Sequence, residues 1–488
     1  MPHKDENIRL LISLGLAGVM VAVILWLVSK VASKPVTTPS TPSMVSPVLP
    51  IASSLEWMSM GEKILVTADK TDEKEAGVNA FKAEDFGTAI IKFQASLQSK
   101  RNDPETLIYL NNAKVGKSKA LKVAVIAPIG SSLNEAKETL RGVAQAQEEV
   151  NSSGGINGMP LQLEIASLNN FGELEKIDSE LAKDSNLLAV VGFGRNENIY
   201  KQSSLVKVSP GSGRNQPGQN QAQLFGDTRY VFNISPNRNI FNQALAEYIV
   251  KKERRTNIAI CRDSSFRTSQ ETSSQERPNQ EIVQEYSDLI NKAGGKVIGT
   301  DCDLGAANFR ASNFIAKAIS DGAEAILLIP RITNINPALD VAKENRGRLA
   351  LFGSQQLYGE KILKFGQGDI KGMVVSVPWH RDANRNMSKG NSFAEKAAKL
   401  WGGEVSPRTA TAYDAMQVII AGLKEDSTRQ GLQKVLSNPN FSAMGATGKI
   451  QFSSSGDRQG GVFLVKIEPC DANKPCSSST GYDFVLLQ

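Results

Sequence analysis

Residues 122–165, KVAVIAPIGSSLNEAKETLRGVAQAQEEVNSSGGINGMPLQLEI, decide the fold class of this chain. The stretch begins with an apolar run typical of a buried strand and continues through a polar bend into a helical pattern. It ends with a glycine-rich turn and a second apolar strand. Two strands joined by a helix form a βαβ unit with parallel strands. Ligands of such sheets bind in the crevice outside the carboxyl ends of the strands, so the stretch predicts a binding cleft.

Strands and helices alternate twice from this unit onward. The first set of apolar runs is VAVIAP, LQLEI, LLAVVGF and LVKVSP, and the second set is NIAIC, KVIGT, AILLIP and LALFG. A helical pattern separates successive runs in each set. Two such sets predict an α/β protein with two doubly wound lobes, each built on its own parallel sheet.

The composition is that of a globular protein of several domains. The chain has 488 residues, of which 41% are apolar and 22% are charged. This length allows about three domains with a substantial core. The net charge of +6 is small. The densest basic run, residues 251–255, contains Glu253 and is typical of a solvated helix end rather than of a nucleic-acid site.

The scarcity of histidine excludes much enzyme chemistry. Histidine occurs only as His3 and His380, so neither a histidine-based triad nor a multi-histidine metal site is available. The four cysteines are not grouped as paired C-x-x-C motifs. The sequence contains no complete phosphate-binding glycine motif, and no pattern places a nucleophile beside a base. We therefore predict no metal, no cofactor and no enzymatic activity.

The motifs around the first βαβ unit resemble those of the type I periplasmic solute-binding proteins, in the branched-chain amino-acid binding branch. The carriers of the resemblance are Pro128, Gly130, Ser131, Leu140-Arg141-Gly142, Ala146, Glu149, Asn151, residues 154–158, Val190-Val191-Gly192 and Ser209-Pro210-Gly211. The resemblance covers residues 120–488. It implies two lobes joined by three crossings of the chain and a ligand held between them.

The resemblance also implies where the chain passes between the lobes. The crossings are expected near residues 235–239, 375–381 and 441–445. Within a solute-binding domain of residues 119–488, lobe 1 would comprise about 119–236 and 377–441, and lobe 2 about 237–376 and 442–488. The helix over 409–423 would then return to lobe 1, and the strand over 462–467 to lobe 2.

The amino terminus has the pattern of a membrane anchor. Residues 8–28 contain a single charge, Arg9, and at ~1.5 Å per residue they match the thickness of a bilayer core. The apolar run exceeds that of an ordinary signal peptide, so an uncleaved anchor within residues 1–33 is favoured over a cleaved leader. The family resemblance implies that the large remainder lies outside the cytoplasm. Residues 34–55 are rich in proline, serine and threonine and predict a spacer.

Residues 56–118 predict helices whose central part is similar to a tetratricopeptide repeat. The pattern is carried by Gly77, Phe81, Phe86, Ala89, Ile90, Phe93 and Leu97. One repeat is fewer than the roughly three that bury a continuous core. The helices therefore dock on another domain as a stalk, or they bind a second chain.

The cysteine spacing indicates two disulfides. Cys470 and Cys476 flank a short loop between the last two predicted strands, and a disulfide could close that loop. Cys261 and Cys302 end or closely follow consecutive strands of lobe 2, where buried free thiols are the alternative. Disulfides fit an oxidising compartment outside the cytoplasm.

The resemblance implies a ligand site at the strand ends. In the family, serine, threonine and main-chain groups, an aromatic clamp and an acid from lobe 2 hold the carboxylate and ammonium of the ligand. The corresponding candidate residues are Ser131, Arg195, Asn196, Ser209, Ser212, Asp263, Ser265, Phe266, Arg331, Gln355 and Gln356.

Departures from the family pattern change the expected ligand. Gln355 or Gln356 falls where the ammonium-binding acid belongs, and an ammonium without an acid in a closed cleft is unfavourable. Arg195 and Arg331 offer a fork suited to an anion, unless both lie on the rim and pair with local acids such as Glu197. We therefore expect a small polar or anionic solute rather than a plain α-amino acid.

Two functions follow from these observations. The first is a membrane-anchored extracytoplasmic solute-binding protein, whose two lobes close on the ligand and present it to an ABC-type permease or a signalling membrane protein. The second is a scaffold whose cleft has lost its ligand and whose helical repeat contacts the partner.

Overall fold

The computed structural model describes residues 56–192, 204–212, 230–264, 277–299, 302–331, 334–383, 392–471, 476 and 478–487. All of them belong to one compact unit, Leu55–Gln488. The predicted anchor and spacer lie outside the described residues. Within the described ranges, no helix is both long and apolar enough to cross a membrane.

The regular elements alternate between strands and helices over most of this unit. The strands are β1 Met58–Ser59, β2 Leu121–Ala127, β3 Leu161–Ser167, β4 Leu187–Val191, β5 Val206–Ser212, β6 Val231–Ser235, β7 Asn257–Arg262, β8 Lys296–Val297, β9 Ala325–Ile329, β10 Ala350–Gly353, β11 Val374–Val377, β12 Ala443–Gly445, β13 Gly448–Ile450, β14 Phe463–Pro469 and β15 Tyr482–Leu486. The helices are α1 Asp72–Lys82, α2 Phe86–Ser99, α3 Pro104–Val115, α4 Leu133–Ser152, α5 Leu174–Lys183, α6 Arg238–Glu247, α7 Arg277–Ala293, α8 Ala311–Ser320, α9 Asn336–Asn345, α10 Glu360–Gly366, α11 Phe393–Trp401, α12 Pro407–Glu425 and α13 Arg429–Leu436.

The strands form two main sheets, which confirms the predicted α/β class. The first sheet has the order β1-β3-β2-β4-β5-β6, and the second has the order β15-β14-β11-β10-β9-β7-β8. The strands from β2 to β6 are parallel, as are those from β7 to β11, while β1, β14 and β15 pair antiparallel. We call the first sheet with its helices lobe 1 and the second sheet with its helices lobe 2.

Lobe 1 is covered on both faces of its sheet, as the sequence of β2 requires. Val123 and Val125 belong to one buried cluster, and Ala124 and Ile126 belong to another. Alternate side chains of a strand point to opposite faces, so an uninterrupted apolar run fits a strand buried on both sides. The first cluster is the larger one and contains the buried faces of α4 and α12.

The contact between α4 and α12 depends on Gly142. A Cβ atom at this position would lie 2.3 Å from the carbonyl oxygen of Thr409 and 2.5 Å from the amide nitrogen of Tyr413. Any side chain larger than hydrogen would push the helices apart. The glycine in the Leu140-Arg141-Gly142 motif therefore lets the helix that returns to lobe 1 pack against the first helix of the fold.

The amino-terminal segment, residues 56–118, packs on lobe 1. Strand β1 pairs with β3 at its outer edge, and α3 is buried along almost its whole length. Helices α1 and α2 cross at Gly77, where a Cβ atom would lie 2.6 Å from the ring of Phe93. Of the two alternatives left open by the sequence, the structure has the segment docked on another domain. Its likeness to a tetratricopeptide repeat stays a prediction.

The chain remains in lobe 1 longer than the sequence predicted at the third crossing. We expected residues from 442 onward in lobe 2, yet the hairpin of β12 and β13 packs in the buried cluster of lobe 1. The rings of Phe452 and Phe232 lie 5.1 Å apart, and the amide of Asn233 donates to the carbonyl oxygen of Gly456 at 2.9 Å. Ala443, Ile450 and Phe452 are buried there, so the crossing to β14 follows residue 458.

At the second crossing, which follows β11, two adjacent residues contact different lobes. Trp379 belongs to the buried cluster of lobe 1, with its ring 5.7 Å from that of Phe393. The next residue, His380, contacts the carbonyl oxygen of Phe484 in β15 through Nε2 at 2.9 Å. After β11 the chain therefore contacts both lobes at these two residues, before α11 packs in lobe 1.

Candidate functional site

The carboxyl ends of the parallel strands adjoin the crossings in both lobes. The first crossing leaves the carboxyl end of β6 in lobe 1, and the second leaves the carboxyl end of β11 in lobe 2. Residues that follow the parallel strands are therefore the ones placed near the junction between lobes. This is the position where open α/β sheets bind their ligands.

The predicted site residues that the structure describes lie at these ends. Ser131 follows β2, and Ser209 and Ser212 belong to the last part of β5. In lobe 2, Asp263 follows β7, Arg331 follows β9, and Gln355 and Gln356 follow β10. The remaining predicted residues, Arg195, Asn196, Ser265 and Phe266, lie outside the described residues.

In lobe 1 the serine-rich turn of β5 is fixed by its own hydroxyl groups. Ser209 is 6% exposed, and its Oγ accepts a hydrogen bond from the amide of Gly211 at 3.1 Å. Ser235 Oγ donates to the carbonyl oxygen of Pro210 at 3.1 Å. Ser131, in contrast, is exposed just before α4. Ser209 therefore shapes the turn, whereas Ser131 presents its hydroxyl group to solvent.

In lobe 2 the carboxylate of Asp263 holds the loop that carries Arg331. Asp263 is 3% exposed, and its Oδ2 accepts from the side-chain amide of Asn334 at 2.9 Å. The same oxygen accepts from the main-chain amide of Arg331 at 3.3 Å. Since β7 and β9 are neighbours, Asp263 ties together two adjacent strand ends of the site.

Asp303 is a second carboxylate at this edge, and the sequence reasoning missed it. Its Oδ1 accepts from the amides of Ser264 at 2.8 Å and Gly305 at 3.0 Å, and the hydroxyl group of Ser264 donates to Oδ2. Burial alone would raise the pKa of Asp303, but these hydrogen bonds and the charge of Arg262 hold the pKa below its usual value. Its place next to Cys302, a residue already singled out, was the available signal.

The structure pairs all four cysteines. Cys261 is bonded to Cys302, and Cys470 is bonded to Cys476. Cys261 is the penultimate residue of β7, and its disulfide holds Cys302, and with it Asp303, next to the end of this strand. The main chain closes the same contact, because the amide of Leu304 donates to the carbonyl oxygen of Arg262 at 2.7 Å. This disulfide therefore supports the strand end that carries Asp263.

Gln355 and Gln356 lie in a short turn after β10, Gln355–Leu357. Gln355 is exposed, whereas Leu357 is buried against Gly353. The preceding Ser354 is 7% exposed, and its Oγ has no hydrogen-bond partner among the described residues. The end of β10 thus offers an amide and a hydroxyl group, which donate and accept hydrogen bonds without carrying charge.

His380 is the one histidine in the described part of the chain, and its imidazole ties the second crossing to β15 of lobe 2. Nδ1 accepts from the amide of Asp382 at 3.2 Å, so Nε2 is the nitrogen that donates to Phe484. Burial, together with the charge of Arg381, lowers the pKa of His380 and keeps the ring neutral. Within the described ranges, no cluster of three histidine, cysteine, aspartate or glutamate residues could hold a metal ion.

Solved structures of binding proteins share this fold. A putative branched-chain amino acid ABC transporter protein from Rhodospirillum rubrum is 16% identical, with 76% of this chain and 100% of that chain covered and a TM-score of 0.58. The branched-chain amino acid transporter substrate binding protein of Streptococcus pneumoniae, in complex with isoleucine, is 16% identical, with 76% and 100% covered and a TM-score of 0.56. A solute binding protein of an ABC transporter from R. palustris, in complex with benzoate, is 13% identical, with 75% and 96% covered and a TM-score of 0.54.

The family comparison covers most of the chain. Comparison with curated proteins gives no match. The model of the family described as periplasmic binding protein matches residues 120–469. The proteins of this family are binding proteins rather than enzymes, which agrees with the absence of catalytic patterns in the sequence. With both sheets, the crossings and this match in agreement, the chain belongs to the periplasmic binding protein family.

Proposed function

We propose that this chain is a membrane-anchored extracytoplasmic solute-binding protein that closes its two lobes on a small polar or anionic ligand. The observation that carries the proposal is the set of polar residues at the carboxyl ends of both sheets, beside the crossings. Asp263, Arg331 and Gln355 follow three neighbouring strands of lobe 2. Ser131 and Ser209 lie at the corresponding end of lobe 1.

Closure requires that the lobes move about the crossings. At the second crossing, Trp379 is held by lobe 1 and His380 by lobe 2. A hinge of a few residues at an element terminus can absorb such a motion, and its two states are what a partner distinguishes. The partner would be an ABC-type permease or a signalling membrane protein.

The position of the amino-terminal segment fits a membrane anchor linked to lobe 1. Strand β1 and helix α3 attach residues 56–118 to that lobe. An anchor at residues 8–28 would then restrain lobe 1 and leave lobe 2 to swing. Anchoring is tested by fractionation: the full chain should stay with membranes after alkaline washing, and a variant lacking residues 8–28 should appear in the soluble fraction.

Ligand binding is tested by thermal unfolding of the full chain in detergent. The ligands are amino acids, short peptides, carboxylates, amides and sugars. A ligand at a hundredfold excess over its dissociation constant adds ~2.7 kcal/mol to the stability of the protein. We expect at least one class to raise the unfolding temperature, and Gln355→Ala to reduce that shift while Gln98→Ala, on the exposed face of α2, leaves it unchanged.

A scaffold function is the second candidate. Ile91 on α2 is 65% exposed, an apolar side chain that a partner of the helical segment would cover. If no class of solute shifts the unfolding temperature of the folded chain, the scaffold becomes the better explanation.

A further inference from the structure

Arg381, at the second crossing, forms an ion pair with each lobe. Its Nη1 lies 3.2 Å from Glu404 Oε2, and its Nη2 lies 2.5 Å from Asp483 Oδ2. Asp483 belongs to β15 of lobe 2. Glu404 lies between α11 and α12, two helices that pack in the buried cluster of lobe 1. The three side chains therefore connect the two lobes directly beside the crossing.

A rotation of the lobes about this crossing acts mainly on one of the two ion pairs. His380 contacts the carbonyl oxygen of Phe484, which keeps the neighbouring Arg381 beside β15 on the side of lobe 2. The pair with Glu404 is then the one that spans the lobes. The side chain of Glu404 is 48% exposed, so it can separate from Arg381 without leaving an unpaired charge in the interior. This pair can therefore break and form again as the lobes move.

The amino-terminal segment holds one end of the loop that carries Glu404. We call residues 402–406 the latch loop. Arg101 donates through Nε to the carbonyl oxygen of Leu400 at 3.1 Å, and through Nη2 to the carbonyl oxygen of Lys399. Both carbonyl groups belong to the last turn of α11, directly before the latch loop. Such carbonyl groups lack partners within their own helix, and a basic side chain satisfies them.

The segment also reaches the other end of the latch loop, through α4. Ser406 Oγ donates to Glu138 Oε2 at 2.8 Å, and Glu138 forms an ion pair with Arg141. Arg141 Nε in turn donates to Asn102 Oδ1 of the segment at 2.7 Å. Two consecutive residues of the segment, Arg101 and Asn102, thus hold the two ends of the latch loop.

We propose that the amino-terminal segment controls the closure of the lobes by positioning Glu404 for its ion pair with Arg381. The inference rests on the lobe closure of the proposed function and places its regulation in contacts outside the ligand site. A partner that displaced the segment would weaken this ion pair and shift the lobes away from the arrangement in this structure. An ion pair of this exposure changes the ratio of two arrangements by about two- to fivefold.

Electron paramagnetic resonance tests the inference without a ligand, since it measures distances between spin labels on the two lobes. The labels are attached to Lys434→Cys on α13 of lobe 1 and to Lys343→Cys on α9 of lobe 2, both exposed positions. The four natural cysteines are paired in disulfides and do not react with the label. The full chain is measured in detergent.

We expect Glu404→Gln to change the ratio of the distance populations by about two- to fivefold. Glu425→Gln removes the same charge at the exposed end of α12 and should leave the distances unchanged. Unchanged distances in Glu404→Gln, or a single arrangement in every variant, overturn the inference.

A double-mutant cycle tests the part played by the segment. Arg101→Ala should shift the populations in the same direction as Glu404→Gln, and it should add nothing in a chain that already carries Glu404→Gln. Lys82→Ala, which removes an exposed cation of α1, should have no effect. No shift in Arg101→Ala, or a shift that adds in full to that of Glu404→Gln, overturns the inference. Either failure leaves the proposed function standing, because thermal unfolding with solutes tests ligand binding separately.

Discussion

The amino-terminal segment and the ligand-facing edge of lobe 2 both contain buried carboxylates, and the two regions use them differently. In the segment, Lys74 Nζ lies 2.6 Å from Glu105 Oε2 and 2.8 Å from Asp103 Oδ2, and all three side chains are 0% exposed. In lobe 2, Asp263 is nearly as buried, and its carboxylate accepts from the main-chain amide of Arg331 and from the side-chain amide of Asn334. The first cluster is a set of fully buried ions, whereas the second contains hydrogen bonds to main-chain amides that shape loops.

The difference follows from what each cluster joins. Glu105 Oε1 also accepts from the amide of Leu65 at 2.7 Å and from the hydroxyl group of Tyr109 at 2.9 Å. Burial alone would lower the pKa of Lys74, but Glu105 and Asp103 raise it above its usual value and keep the lysine charged. The ion cluster thus stabilises the fold of the segment. The loops at the end of β7 instead lie beside the polar residues that we propose to bind the ligand.

The largest expected effect comes from breaking the ion cluster. Lys74→Met leaves two buried carboxylates without their cation, and removal of one partner of a buried ion pair costs about 3–5 kcal/mol. Urea denaturation of the full chain in detergent should show this loss. Lys82→Met, at the exposed end of the same helix, should change the stability by less than ~0.5 kcal/mol. A loss below ~1 kcal/mol in Lys74→Met would mean that the cluster relaxes or is hydrated.

The next effect concerns the outer edge of lobe 1, where the side chain of Asn112 continues the closure of β3 that strand β1 begins. Asn112 Nδ2 donates to the carbonyl oxygen of Leu163 at 2.7 Å, and Asn112 Oδ1 accepts from the amide of the same residue at 3.0 Å. The side chain also accepts from Gln147 Nε2 at 2.9 Å. Asn112 therefore occupies the place of a neighbouring strand beside β3.

Asn112→Ala leaves these strand groups unsatisfied and should cost about 2–3 kcal/mol, since a buried group without its partner costs ~1–3 kcal/mol. Urea denaturation gives the stability, and hydrogen exchange at the amide of Leu163 should accelerate. Asn79→Ala, on the exposed face of α1, is the matched control. Normal exchange at Leu163 in a destabilised Asn112→Ala protein would contradict the proposed role in closing the edge.

The sequence predicted elements better than it predicted these clusters. The apolar runs predicted both sheets, and the pattern that includes Gly77 and Phe93 predicted the helices of the amino-terminal segment. Lys74 and Asn112 could not be identified, because lysine and asparagine side chains in helices ordinarily face solvent. Their partners lie up to fifty-two residues away in the chain, and only the docked segment brings them together. The position of the third crossing could not be predicted for the same reason, since the hairpin before it is placed by contacts with β6 and α12.

A smaller effect is expected at the edge of lobe 2. Asp303→Ala removes the acceptor of two main-chain amides in a partly exposed turn, which should cost about 1 kcal/mol. Asp303→Asn retains an oxygen acceptor and should cost less. Thermal unfolding under oxidising conditions, which keep the Cys261–Cys302 disulfide intact, measures both variants. If Asp303→Ala lost as much stability as Lys74→Met, the carboxylates of lobe 2 would stabilise the fold as strongly as the ion cluster of the segment. The two regions would then not differ in the way proposed.

The smallest effect is a pH dependence at Asp69, which joins the segment to lobe 1. Its carboxylate lies 2.6 Å from Lys137 Nζ of α4 and 2.9 Å from Lys100 Nζ. Burial alone would raise the pKa of Asp69, but the hydrogen bonds and charges of these two lysines hold it below the usual 3.8. A carboxyl group whose pKa is lower in the folded state stabilises the protein above its unfolded pKa, and this contribution is lost as the pH falls through the folded value.

Asp69→Asn should therefore be less stable than the natural chain at neutral pH, with a difference that is constant down to about pH 5 and shrinks below about pH 4. Urea denaturation midpoints of both proteins, measured from neutral pH down to about pH 3, give the difference in stability. Asp72→Asn, at the exposed start of α1, should show no such convergence.

Because Asp303 has a lowered pKa from hydrogen bonds within its own lobe, Asp303→Asn should converge with the natural chain in the same direction. Of these two variants, only Asp69→Asn should also accelerate hydrogen exchange where the segment meets α4, since Asp69 contacts Lys137 of that helix and Asp303 does not. If the difference for Asp69→Asn instead grew on acidification, the carboxylate would destabilise the folded state, and its ion pair with Lys137 would not help to hold the segment on lobe 1.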